Sequence, residues 1–143
     1  MSPGFSRARH WRIVLTSAKR IGIAFVFLWF FVGGIAHFAA TDTEMSIMPP
    51  YIPSPRLMVL VSGVFELLGA IGLLLPATRR MAGLGLFALT IAVTPANVYM
   101  LQRADLFHVP YWVLVLRLPV QIGLLALIAW STGMLSRSRV ESA

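Results

Sequence analysis

An all-α fold, an integral membrane four-helix bundle of antiparallel transmembrane helices, is what this sequence predicts, on three observations. Hydrophobic residues make up 58% of the 143-residue chain and charged residues only 12%, against roughly 25% charged in a soluble domain. That leaves too little polar surface to cover a soluble fold of this size. Next, four apolar runs, each near the length of a bilayer crossing, are separated by proline-rich or basic breaks. Finally, the few polar residues inside those runs share helical faces with small residues, the pattern of helices that pack on one another in lipid. Residues 1–143 are read as a single domain.

The formal net charge of +7 does not point to nucleic acid. The basic residues sit at the ends of apolar runs, and no basic face is interleaved with aromatics. Anionic headgroups and membrane topology account for them. The chain contains no cysteine, which excludes thiolate nucleophiles, thiol–disulfide relays and iron–sulfur ligation by its own residues. No metal site is expected. Met45 and Met48 are too few for copper, and His37 and His108 do not suffice as haem ligands. No nucleotide loop, HExxH pattern or Ser–His–Asp order is present.

Met1–Arg20 is basic and reads as a cytoplasmic lead-in, lying at the interface as a short amphipathic helix. The first span, about 21–39, carries no charge besides His37 and is read as an uncleaved helix. Thr41–Pro55 is expected to be an outer loop, because the prolines of MPPYIPSP cannot continue a helix. Tyr51 suits the membrane–water interface. Ser54-Pro55 has the form of an N-cap followed by proline at the first helical position, opening the second span, about 57–75. Pro76 ends that span, and Thr78-Arg79-Arg80 forms a tight turn with Thr78 as a cap. The third span, about 81–101, is interrupted by Pro95. The fourth, about 111–131, opens on Pro110-Tyr111-Trp112 and continues past Pro119. Both prolines are expected to kink their helices and to free the carbonyls of Ile91 and Val115 for neighbouring donors.

Of the twelve Lys and Arg residues, Arg7, Arg9, Arg12, Lys19, Arg20, Arg79, Arg80, Arg137 and Arg139 fall on one side. Asp42, Glu44 and Asp105 lie in the loops of the other. The positive-inside rule then places both termini in the cytoplasm.

The second span carries one acid, Glu66, near its centre. At 100° per residue its face holds Val59, Ser62, Gly63, Gly69, Ala70 and Leu73, whereas Leu57, Val61, Val64, Leu68, Ile71 and Leu75 lie opposite. Small residues mark helix contacts and bulky aliphatics meet lipid, so Glu66 points into the bundle. On the third span Asn97, Thr94, Thr90 and Gly83 form one stripe; on the fourth, Arg117 and Gln121 are an i, i+4 pair; on the first, His37 shares its side with Phe30, Gly33 and Gly34. Counted from the outer ends at 1.5 Å per residue, Glu66 lies ~13 Å deep, Arg117 ~9 Å, Asn97 ~6 Å and His37 ~3 Å. A buried charge needs a partner. The expectation is a Glu66–Arg117 ion pair, its hydrogen bonds completed by Gln121, Asn97 and His37, with His37 and Tyr51 at the mouth.

Five segments, GGIAHF (33–38), MPPYIP (48–53), SGVFELLGAIGLLLPATRRMAG (62–83), TPANVYM (94–100) and RLPVQ (117–121), resemble the DoxX family of small four-helix membrane proteins. The resemblance covers about residues 21–131. It implies a membrane protein of the kind that looks like a subunit of thiosulfate:quinone oxidoreductase or is associated with sulfur metabolism or oxidative stress. The family's recurrent polar positions correspond here to His37, Glu66, Asn97, Arg117 and Gln121.

The expected function is therefore a membrane subunit of a redox or stress-related assembly. It would hold a small lipophilic ligand such as a quinone in an outer-half polar cavity of the inner membrane. Its partners would be the lipid bilayer, that ligand, and a redox protein or further copies of the chain; nucleic acid is not among them. Enzymatic activity residing in the chain alone is not expected. A non-catalytic scaffold whose polar cluster only fixes helix register is the alternative, and an oligomeric small-molecule transporter is a third.

Overall fold

The computed structural model describes residues 16–134, and those residues contain helices and turns but no strand. The expected amphipathic lead-in lies outside the described residues except for its end, where Ser17–Arg20 form the first turn of α1 (Ser17–Ala39). The basic residues Arg137 and Arg139 also lie outside them. Three further long elements complete a four-helix bundle: α3 (Pro55–Leu74), a broken third span made of α4 (Arg79–Ala92) and α5 (Thr94–Gln102), and α6 (Tyr111–Ser131). All four spans are long and apolar enough to cross a membrane. This is a multi-pass membrane protein, and the lipid bilayer is its solvent.

Helical periodicity sorts the faces. On α1 the buried positions Gly22, Ile23, Val26, Phe30 and Gly34 recur at helical spacing, while Ile21, Phe25, Leu28, Val32 and Ile35 are exposed. On α3 every aliphatic expected to face lipid (Leu57, Val61, Val64, Leu68, Ile71 and Leu75) is exposed, and Val59, Gly63, Ala70 and Leu73 are buried.

The ends of the elements depart from expectation in instructive ways. The first loop is not all loop, since Thr41–Ser46 form a short helix, α2, with Asp42 and Glu44 in its first turn, where a helix terminus favours acids. Ser54 precedes Pro55 but does not cap α3: its backbone is left-handed (φ 50°) and its side chain makes no capping bond. Thr78 likewise gives no N-cap to α4. Its hydroxyl instead donates to the Gly72 carbonyl (2.9 Å), while Arg79 Nε and Nη2 donate to the carbonyls of Leu73 (2.8 Å) and Leu74 (3.4 Å). The turn thus satisfies the open carbonyls of the helix before it rather than the open amides of the helix after it. Pro119 is carried inside α6 without ending it.

Around the bundle, α1 packs beside α3 and α6, and α4 packs beside α3 and α6. The pairs α1–α4 and α3–α6 are diagonal. The apolar core lies in the half nearer the Arg79–Arg80 turn. It is made of Ile23 and Val26 from early α1, Ala70 and Leu73 from late α3, Leu86 from early α4, and Leu124 and Ile128 from late α6, with Phe30 above them.

Candidate functional site: a cavity at the α2 end of the bundle

In the opposite half the helices part. The third span breaks at Val93, just before Pro95, and beyond the break α5 leans on α6 and no longer follows α3. The gap is a cavity of about 620 Å³, within the range of small-molecule sites. Its walls are mostly apolar. The α3/α5 side carries Met58, Val61 and Phe65, all exposed on the bundle surface, and the α1/α6 side carries Trp29 and Val120, also exposed. The cavity therefore reaches the lateral surface that faces lipid. Glu44, Ile47, Met48 and Pro49, from α2 and the turn after it, line it from the loop end.

One side holds His37 and Glu66. Nε2 of His37 lies 3.3 Å from Oε1 of Glu66, and the two side chains are only 15% and 12% exposed. Small residues make this approach possible. A Cβ on Gly34 would stand 3.2 Å from the Gly63 carbonyl oxygen, and one on Gly63 would stand 3.3 Å from that of Gly34, so α1 and α3 cross here nearly backbone to backbone. One residue earlier, a Cβ on Gly33 would come within 2.7 Å of Glu66 Oε2. The glycine pair of GGIAHF thus makes room first for α3 and then for its carboxylate.

The other side is organised by Gln121 on α6, which is buried. Its Nε2 donates to the Thr90 carbonyl (2.8 Å) and the Thr94 hydroxyl (2.6 Å), and its Oε1 accepts from Asn97 Nδ2 (2.7 Å). Gln121 therefore bridges the break: Thr90 lies before it, Thr94 and Asn97 after it. Arg117, one turn away on α6, lines the cavity and is exposed; its Nη1 donates to the thioether of Met100 (3.1 Å).

Two expectations are overturned. No Glu66–Arg117 ion pair forms among the described residues. Both residues line the cavity, but α3 and α6 are diagonal, and the nearer polar neighbour of Glu66 is His37 on the adjacent α1. Consequently Asn97 and Gln121 complete no ion pair and bond to each other. Tyr51 does not stand at the cavity mouth; it is 70% exposed and lines a separate shallow groove with Val98, Tyr99 and Gln102.

The depth estimates fail for a related reason. Glu66 lies eleven residues, about 17 Å, into α3, whereas His37 is two residues, about 3 Å, from the end of α1. The two meet because α3 overhangs α1, with α2 packed back against α3 alongside the overhang. The expected use of freed carbonyls also shifts by a residue, because Thr90 rather than Ile91 receives a side-chain donor, and that donor is Gln121. Sequence reasoning placed Thr90 and Thr94 on the right stripe without assigning them a partner. It missed Glu44 and Met48 as cavity elements and Met100 as the partner of Arg117, and only the return of the α2 segment toward the bundle would have found the first two.

Among the described residues, no group of three or more His, Asp or Glu side chains is placed to hold a metal ion. No curated protein and no solved structure matches the chain. Residues 26–134 match the family described as "Domain of unknown function (DUF8561)", and this segment holds all four spans, most of α1 included, and every polar residue of the cavity. With well over half of its length matched, the chain belongs to that family.

Proposed function

We propose that the chain is a DoxX-like inner-membrane protein that holds a small lipophilic ligand, a quinone, in the α2-end cavity and serves as the membrane subunit of a redox or stress-related assembly. The observation that carries this reading is the cavity itself. Its walls are largely apolar and reach the lateral surface of the bundle, and it is lined by an acid, a histidine, an amide and a guanidinium carried on the apolar spans. Ionisable residues within such spans are costly and usually mark a ligand or ion site. In this reading both termini and the Arg79–Arg80 turn are cytoplasmic, and the cavity lies in the outer half of the bilayer.

The chemistry expected of the site is recognition. A flat ring would lie among the apolar side chains, Arg117 would donate to a ring oxygen, and Glu66, held by His37, would face the other polar edge. Electron transfer would belong to a partner protein. The test is mass spectrometry and absorbance of the protein purified gently from its membrane. A quinone or its quinol near one per chain is the expected result, and protein free of any lipophilic species would refute the reading.

One observation favours a second reading for part of the cluster. Both N–H groups of the Gln121 amide and its oxygen are engaged within the protein, as in a scaffold that fixes helix register. If the whole cluster were scaffold, changing Glu66 or Arg117 would lower the amount of folded protein and leave no ligand to lose.

A further inference from the structure

We propose that the cavity selects the reduced form of its ligand, a quinol over the corresponding quinone, because Glu66 offers it an acceptor that a quinol hydroxyl can satisfy and a quinone carbonyl cannot. This rests on the quinone reading above and adds the ligand's chemical state.

The inference follows from which hydrogen-bonding capacity the protein leaves unused. Gln121 has given both N–H groups to Thr90 and Thr94 and accepts from Asn97, so it has no donor left for a ligand. Arg117 has spent one donor on the Met100 sulfur, a weak acceptor, and its remaining N–H groups are uncommitted. Glu66 faces His37 through Oε1. Its Oε2 lies over Gly33, takes no hydrogen bond from the described residues, and is not sealed from the cavity that Glu66 lines. The site therefore presents an open donor on α6 and an open carboxylate acceptor on α3, on diagonal helices with the cavity between them; Glu44 adds a second carboxylate at the loop end, and Nδ1 of His37 is buried on the α1 side without a partner among the described residues.

A quinone carries two carbonyl oxygens, which accept and never donate. It could satisfy Arg117 but would leave Oε2 of Glu66 dehydrated and without a partner. A quinol carries two hydroxyls, each able to donate and accept, so one would receive from Arg117 while the other donates to Glu66. Leaving a desolvated carboxylate oxygen unpaired is more costly than forgoing a bond to solvent, and sites built to bond a hydroxyl discriminate strongly against analogues that lack it.

The test uses the full chain in lipid nanodiscs, titrated calorimetrically under anaerobic conditions with decylubiquinol and with decylubiquinone. The expected result is at least about tenfold tighter binding of the quinol. In Glu66→Gln the carboxamide presents both an N–H and a carbonyl, so the two forms should bind within about threefold of each other. A ligand-side arm needs no variant to fold: the dimethyl ether of the quinol keeps both oxygens but has no hydroxyl hydrogen, and should bind the unaltered protein no tighter than the quinone does. Equal affinities, a preference for the quinone, or a quinol preference that survives either arm would overturn the selectivity while leaving the ligand reading intact. Binding of neither form would overturn both.

Discussion

The two halves of this bundle use the same four spans and the same small-residue vocabulary to opposite ends. Toward the Arg79–Arg80 turn, the glycines at helix contacts (Gly69, Gly72 and Gly83) are filled by their neighbours. A Cβ on Gly69 would meet Leu86 at 2.5 Å, and one on Gly83 would meet Thr132 Oγ1 at 2.7 Å. Leu73, Leu86 and Ile128 are at most 1% exposed there. Toward α2, Gly33 is approached not by an aliphatic but by a carboxylate, and the third span breaks away from α3. In lipid the apolar effect gives helices little reason to associate, so dispersion and hydrogen bonding hold them. One half is held by interdigitated side chains. The other is held by the Gly34–Gly63 crossing of α1 and α3 and by a few polar bridges, which leave space where α5 parts from α3.

That contrast can be broken most forcefully by equal truncations in the two halves. Leu86→Ala should cost about 3 kcal/mol, because it opens a void in a closed core. Leu89→Ala, one turn along and already beside the cavity, should cost less than about 1 kcal/mol. Reversible unfolding in bicelles measures both, and similar costs would mean the halves are not packed differently. Gln121→Leu should come next, at about 1.5 kcal/mol, near the upper end for polar contacts between membrane helices, since it releases Thr90, Thr94 and Asn97 together. Asn97→Leu, which removes only one of those bonds, should cost about 0.6 kcal/mol, and a double-mutant cycle should show the two effects to be non-additive.

Gly33→Ala sharpens the contrast at a single atom. Its methyl group would stand 2.7 Å from Glu66 Oε2, so the carboxylate must move. Overpacking of this kind should cost about 1 kcal/mol, but retention of the ligand should fall more than stability does. Unchanged ligand content after purification would remove the carboxylate from the site. Tyr51→Phe should show the smallest effect. Tyr51 lies outside the cavity, so ligand content and unfolding midpoint should both match the parent, and a loss of ligand would restore it to the mouth.

The legible part of this protein was whatever a single helix can declare. Hydropathy marked the spans to within a few residues, and the 100° projection separated Val64 and Leu68, which face lipid, from Gly63 and Ala70, which do not. The projection also found the inward residues His37, Glu66, Asn97 and Gln121. It could not say which inward face meets which, because direction and depth on one helix carry no information about its neighbours. The clue was in the connectivity. With short links in an antiparallel bundle, the second span touches the first and third, and the fourth stands across from it, so Glu66 should have been paired with His37 before Arg117. Stagger was less accessible. It depends on α2 folding back along the overhang of α3, a tertiary choice that no local pattern encodes. The reversed role of Thr78 shows the same limit on a smaller scale, since one hydroxyl can serve either of two helix ends and geometry decides between them.

The Gln121 bridge also bears on how the chain is made. As the third span leaves the translocon it carries an interrupted ladder at Val93, with the Thr90 carbonyl and Thr94 hydroxyl turned toward a partner that has not yet been synthesised. Backbone groups left open in hydrocarbon are costly, so this span is a poor membrane resident until α6 arrives to serve both sides of the break. The α1–α3 hairpin is closed by its own glycine crossing, whereas the two sides of the break in the third span are joined by Gln121 of α6, so the second hairpin is complete only as a pair.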